Sequence, residues 1–501
     1  MTTHRLSGPP RTPPAAELVN SGFALEIADA PFLHAGLNLA DLAHVIDLHR
    51  RGIIPQAASR DLLALLLEVH QMAAEDFPYD PAYGEPYNSR EHYFVERLGD
   101  TAGWLHAGRP RREAARIALR LGVRRQLLEL LDAVASFAGA AVALAQRHID
   151  TLMADQTYLQ QAQPSTFGHY ILSFAYPALR DGQRLLDEFG WINRSPGGAG
   201  CVNGTRLLDD RTFIAEALGF DDVIEHTRDA MWQVDGLIHI LATIASLVST
   251  ESKLAEDLEI WSSTEFDFVD LDDGYTRSSI LMPQKRNPYS LSIVRGASGI
   301  LLGRLSGFLA VAKSPSARSD NLIFAYGEIP RALDLSIRVT RLISGVTATL
   351  RVNVERMAED LNTGYTQATD LSEFITQTCM VDYRTAYVVV GKTVREASRR
   401  GIPGRNITGA MLDEVALAET GEDWGLTDKD LSTALDPAAI VQSRTGMGGA
   451  APDAVRAMIG QCTDLTISLQ DAVAEQRNRL ERAEDLLLAN AKRIANSRRS
   501  L

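Results

Sequence analysis

The run 278-SSILMPQKRNPYS-290 sets two hydroxyls, a proline, a glutamine and two adjacent cations directly before a segment that reads as helix. Asn287-Pro288 has the form of a helix start: Asn is a favoured N-cap, and Pro suits the first helical position, where its missing N–H would be orphaned anyway. A loop placed there delivers its groups to a helix N-terminus, whose free N–H groups and macrodipole favour an anion. Lys285 adds a full positive charge at the same place. This suits removal of a proton beside a carboxylate, because the resulting aci-carboxylate carries two negative charges that must be met by fixed donors rather than by water. Lys285 and the Asn287 amide could supply them. Ser279, six residues before Lys285, is a poor base unless such a pocket populates its alkoxide. The pattern alone equally admits a structural helix capped by Asn, with incidental cations beside it.

The elements that must hold this loop are helical. From Glu113 to Asp150 there is no proline, and Ile117, Leu121, Leu128 and Leu131 recur at helical spacing. Further long segments run over about 166–192, 227–261, 288–311 and 329–350. Five long helices joined by short loops describe a bundle. Leu301, Leu302, Leu305, Phe308 and Leu309 lie on more than one face of their helix. A helix apolar on two sides must be buried on two sides, which predicts a homo-oligomer. The expected organisation is all-α in three helical domains: 1–105 with a Pro-rich start, the bundle over 106–360 with the loop 274–288, and 361–501.

With 501 residues, 45% apolar and 23% charged, the composition is that of an ordinary globular protein. A net charge of -14 argues against binding nucleic acid, while local arginines could still make a pocket for a small anion. Cys201, Cys379 and Cys462 form neither a disulfide framework nor a CxxC pair and read as buried thiols of a reducing compartment. No run of uninterrupted apolar residues reaches membrane-spanning length and no signal sequence is evident at the start. A cytoplasmic protein without membrane partners is the expectation.

SSILMPQKRNP resembles the signature loop of the fumarase and aspartase superfamily, GSSxMPxKxNP. Ser279 falls on that family's catalytic serine, with Ser278 in place of its glycine and Ile280 in place of its second serine. Further stretches resemble the argininosuccinate lyase branch: 157-TYLQQAQPSTFGHYIL-172, 364-GYTQATDLSEF-374, 384-RTAYVVVG-391 and 435-LDPAAIVQSRTGMGGAAP-452. The resemblance implies a three-domain helical fold and a tetramer with a 20-helix core, each active site assembled from three subunits. It implies chemistry without cofactor or metal on a small dicarboxylate. Ser279, Lys285, Asn287 and Tyr158 would be its catalytic residues, and Thr157, Gln160, Arg111, Arg112, His92 and Ser278 would bind substrate.

The departures are concentrated on one side of the expected site. Tyr158 stands where the family's THLQ has histidine, and Ser292 where NPxxLE has the glutamate that holds it. Losing both is coherent, since a buried glutamate without its partner would be an uncompensated charge. HTGRSRND becomes 106-HAGRPRRE-113, which keeps Arg111 but introduces Pro110, Arg112 and Glu113. YNxDxQED has no good counterpart in 313–328, and the initial WGGRF is absent. The fumarate-forming half is thus retained and the leaving-group half rebuilt. This predicts β-elimination from an N-substituted aspartate to fumarate and an amine. Cleavage of argininosuccinate itself, a cycloisomerase or nitrite-releasing reaction, and an inactive crystallin-like role are the alternatives. Tyr158 is either a general acid or a space-filling hydrogen-bonder. Arg112 and Glu113 either read the new leaving group or form a surface pair, and His92 either meets substrate or is an ordinary helix residue. His106 and Arg109 shape the turn into the long helix. The run Glu265, Asp267, Asp270, Asp272 and Asp273 matches no calcium loop and reads as a solvated face.

Overall fold

The computed structural model describes residues 13–314, 316 and 326–497. Helices α1 (Ala30–Arg50), α2 (Gln56–His70) and α3 (Pro86–Leu98) pack through Leu42, Ile46, Leu62, Leu66 and Phe94. A buried charge cluster pins them together. Asp41 on α1 accepts from Arg90 Nη2 at 2.7 Å, from Tyr87 Oη at 3.2 Å, and from Arg109. Arg109 therefore does more than shape a turn: it is buried and ties the start of the long helix to α1.

That helix, α4 (Arg111–Arg147), opens the bundle. A hairpin follows, β1 (Leu152–Thr157) paired antiparallel with β2 (Gln160–Thr166), then α5 (Phe167–Ile192), whose Thr166 cap accepts from the His169 N–H. The segment expected as one helix over 227–261 is broken. A short helix, Thr227–Trp232, ends in extended backbone at Gln233, and α6 restarts at Asp235 and runs to Trp261. Glycine is required at 236, in the first turn after the restart, because any Cβ there would collide with the Trp191 ring packed on it. The bundle is completed by α7 (Tyr289–Ala312) and α8 (Glu328–Thr349). Its core contains Leu131, Phe174, Ile244, Leu291 and Ile337. Asn287 does not cap α7: Pro288 occupies that position without a side-chain cap, and the Asn287 amide is used elsewhere.

Helices α9 (Ala368–Cys379), α10 (Tyr383–Arg399), α11 (Gly409–Thr420) and α12 (Asp428–Leu435) enclose a small core of Leu371, Val389, Leu412 and Leu431. The last helix, α13 (Pro452–Ala495), leaves that core. It places Val455, Cys462 and Leu469 in the bundle and Leu487 and Ile494 among α1 and α2.

The all-α class holds. By length and mean hydropathy α4, α6 and α7 are long and apolar enough to cross a membrane, which a search for uninterrupted apolar runs does not register. Within the bundle 61% and 56% of the relevant windows of α4 and α6 are buried, against 28% for α7. On α7, Ile300, Leu302 and Leu309 stay exposed. The thiols also differ from expectation, since Cys462 is buried but Cys201 is exposed on a loop and Cys379 is partly so.

Candidate active site

The loop before α7 is a narrow-necked hairpin. Arg277 pairs with Asn287 and Ser278 with Arg286, the Ser279 N–H donates to the Lys285 carbonyl at 3.3 Å, and Asn287 Nδ2 donates to the Arg277 carbonyl at 2.8 Å. Ser279, Lys285 and Asn287 are thereby brought to one neck, with Ile280 and Leu281 fully in solvent beyond it. Ser279 Oγ accepts from the N–H groups of Leu281 at 3.3 Å and Met282 at 3.0 Å. Two donors on one hydroxyl oxygen favour its anionic form. An open cleft of about 640 Å³ lies alongside, lined by Glu259, Thr276, Lys285 and Asn287 among others.

The acidic run lies at the surface, as a solvated face would, and part of it also anchors this hairpin. Arg286 donates to Asp270 at 2.9 Å, Asp273 at 2.6 Å and the Leu271 carbonyl at 2.9 Å, and Arg351 shares Asp270 at 2.6 Å. Asp267 accepts from Asn353 and Asp272 from the Gly274 N–H. Among the described residues no group of acidic, His or Cys side chains could hold a metal. A single exposed ion pair contributes at most about 1 kcal/mol, but Arg286 lies between Lys285 and Asn287 and holds both through one network. Arg286→Met is expected to lower kcat about tenfold, by loosening the neck, with KM changed less and Arg286→Lys recovering part of the loss. Steady-state kinetics of the two variants is the check.

Thr157, Tyr158 and Gln160 occupy the tip of the β1–β2 hairpin, where Thr157 pairs with Gln160. Both turn residues, Tyr158 and Leu159, have positive φ (55° and 58°). The conformation matches the right-handed twist of the strands yet normally selects Gly or Asn. Its consequence is a phenol held at 98% exposure. Gln161 fastens the base of the turn, donating to Asp360 at 2.7 Å.

The third group surrounds the start of α4. Arg111 pairs with Glu85 at 2.7 Å and donates to Asn88 at 3.0 Å. Arg112 and Glu113 form no surface pair. Glu113 is fully buried and accepts the N–H groups of Gly198 and Gly200, each at 2.7 Å, while burial pushes its carboxyl up to about 7. Gly198 and Gly200 both have positive φ, which lets their two N–H groups converge on one carboxylate. Arg112 instead faces a cavity between α1 and the bundle. His106 pairs with Glu91 at 3.1 Å. His92 lies against Tyr83 with the rings tilted by 45° and faces Glu96 one helical turn on.

Among the described residues no hydrogen bond or ion pair joins the three groups within one chain. Sequence reasoning missed Glu259. This side chain on α6 accepts from Ser292 at 3.3 Å and pairs with Arg295 at 2.5 Å, so a glutamate at position 292 would face a like charge. Nothing local in 256-EDLEIW-261 distinguishes it. Most of 313–328, where no counterpart of YNxDxQED was found, lies outside the described residues.

A five-helix bundle with a serine–lysine–asparagine loop at the head of α7 defines a lyase of the fumarase and aspartase superfamily. The profile of the lyase family matches residues 52–303, and that of the argininosuccinate lyase C-terminal region matches 365–442. The chain belongs to this lyase family, in its argininosuccinate lyase-like branch. It is 32% identical to argininosuccinate lyase of Methanosarcina acetivorans over 89% of this chain and 90% of that one. It is also 32% identical to that of Methanococcoides burtonii over 93% and 95%. The structure of EDDS lyase in complex with formate superposes with a TM-score of 0.88, at 28% identity and 98% coverage of both chains. A class II fumarase from Schistosoma mansoni shares the fold, with a TM-score of 0.68 at 14% identity, covering 86% of this chain and 96% of that one.

Proposed function

We propose that this carbon–nitrogen lyase reversibly eliminates an amine from an N-substituted aspartate, leaving fumarate. The observation that carries the reading is the neck of the 277–287 hairpin, where a serine oxygen already bears two N–H donors beside Lys285 and Asn287. Ser279 removes the proton next to the carboxylate, and Lys285 and the Asn287 amide face the charge that develops. Relatives named argininosuccinate lyase and a structural neighbour, EDDS lyase, which has been solved with bound fumarate, agree with a fumarate-forming reaction. The relatives' name favours argininosuccinate as a second reading. Tyr158, Ser292 and the altered 106–113 turn favour another amine.

Because the hairpin tip, the Ser279 loop and the Arg111 turn stand apart in one chain, the complete site is proposed to form between copies in a homotetramer. The exposed apolar side chains of α7 supply a surface for that assembly. The proposed division remains the bundle with its loop, flanked by N-terminal and C-terminal helical domains.

Tyr158, the residue most exposed at the tip, is assigned the proton donor to the departing amine. Tyr158→Phe is therefore expected to slow elimination of an alkylamine about a hundredfold. It should hardly alter release of a group that leaves as an anion, such as nitrite; equal losses on both substrates would reduce Tyr158 to a binding contact. The reading as a whole is tested by incubating the protein with a panel of N-substituted aspartates that includes argininosuccinate, and following fumarate by its ultraviolet absorbance. No fumarate from any member would overturn it.

A further inference from the structure

The cavity beside Arg112 has a volume of about 70 Å³ and lies between the segment carrying Glu26 and Asp29, the head of α3, and the first turns of α4. At roughly 10–15 Å³ of such volume per water, it admits a small polar group with a few carbons rather than a large side chain. Phe32, Leu33, Leu37 and Leu119 make an apolar floor. Arg112 and Arg116 project into it from one face of α4, four residues apart. Like charges at that spacing repel by a few tenths of a kcal/mol in the absence of an anion.

The surrounding charges leave that repulsion uncompensated. Arg111 is taken by Glu85 at 2.7 Å. Asp29 and Glu328 are matched by Arg331, at 2.8 and 3.0 Å, and by Arg304, at 3.6 Å from Glu328. Glu26 then stands alone against Arg112 and Arg116, which leaves one positive charge unmatched in the wall. Neither Glu26 nor Arg112 has an ion-pair partner within 4 Å among the described residues. Arg116 donates to the Met231 carbonyl at 3.2 Å, and its guanidinium lies 3.8 Å from the centre of the Tyr326 ring. The buried Tyr326 hydroxyl has no hydrogen-bond partner among the described residues. Burial draws the Arg116 guanidinium below its ordinary value, and burial together with neighbouring Glu85 pushes Glu26 up. An anion entering beside the arginines relieves the Arg116 shift, while Glu26, facing one more like charge, holds its proton more tightly and so offers it less repulsion.

We infer that this cavity receives a carboxylate carried by the leaving amine, so that the preferred amine is a small amino acid rather than an uncharged alkylamine. The inference rests on the proposed lyase reaction. In the addition direction the amine nitrogen bonds to one alkene carbon of fumarate, the other alkene carbon gains a proton, and the nitrogen loses one. Nothing else is consumed. Arg112 and Arg116 take no part in these transfers; they select which amine is held.

The experiment compares addition to fumarate of glycine and alanine with that of ethylamine and propylamine, the rates expressed per free amine. The wild-type protein is expected to favour the amino acids at least about tenfold in kcat/KM, one tenfold step being about 1.4 kcal/mol. Arg112→Gln combined with Arg116→Gln should abolish the preference, while Arg116→Lys retains most of it. Equal rates for the two amine classes in the wild type would overturn the inference and leave the lyase reading standing. A preference that survives in the double glutamine variant would place its origin outside this cavity. Failure of every amine to add would remove the lyase reading, and the inference with it.

Discussion

Ser279→Ala should lower kcat by about a thousandfold or more, within the roughly 10²–10⁴ that a positioned base supplies, with the thermal midpoint and oligomeric state unchanged. The substitution removes one oxygen from an exposed loop, so no core contact is lost. The hydrogen bonds it does lose are those of Leu281 and Met282 N–H to Ser279 Oγ, and both groups can turn to water. The catalytic loss is large because the carbon acid beside a carboxylate is very weak and the proposed reaction depends on a positioned base to take its proton. Ser278, which the resemblance assigns to substrate binding and which pairs with Arg286 in the hairpin, is the comparison, since a binding contact is worth less than the base. Ser278→Ala should retain at least about a tenth of the activity. Fumarate release by the two variants, with circular dichroism and sedimentation on each, makes the comparison. Near-equal rates for Ser279→Ala and wild type would move the base to another residue.

The loop was legible in the sequence because its chemistry is contiguous. Ser279, Lys285 and Asn287 lie within nine residues, and the hairpin that joins them is closed by its own backbone. The bundle was legible for a similar reason, since Pro-free apolar recurrence marked out α4, α5, α7 and α8 to within a few residues. What escaped depends on distant partners. The acidic run is solvated as read, but the pairing of Arg286 and Arg351 on Asp270 is not visible in the sequence. Glu113 reads as half of a surface pair until the loop at Gly198 and Gly200 encloses it. The β1–β2 hairpin was missed for a local reason: its turn is Tyr158-Leu159, and neither residue advertises the left-handed backbone that both adopt. The close packing of Trp191 on Gly236, just after the break, likewise joins residues far apart in the chain.

Replacing Glu251 by glutamine should stabilise the protein at alkaline pH and change little in acid. Glu251 sits inside the bundle on α6 at no exposure, with neither carboxyl oxygen within hydrogen-bond reach of a partner among the described residues. Thr340 on α8 and Asp181 on α5 are the polar groups nearest to it in effect, and burial pushes its carboxyl up to about 8 from 4.5. A carboxyl raised in the folded state holds its proton more tightly there than in the unfolded chain. Its contribution is therefore fully present below about pH 4.5 and is lost as the pH rises through about 8. At about 1.4 kcal/mol for each unit, ionising Glu251 inside the fold costs on the order of 4–5 kcal/mol by the top of that window. Glutamine has nearly the same shape and no proton to lose, so its stability should not carry this slope. Thermal midpoints of Glu251→Gln and wild type should coincide near pH 5 and separate in favour of the variant towards pH 9. Parallel curves would mean that the carboxylate has found a partner in the assembled protein. Because the loss begins near pH 4.5 and is complete near 8, most of the separation between variant and wild type should already be present at neutral pH, while the folded protein still holds Glu251 uncharged.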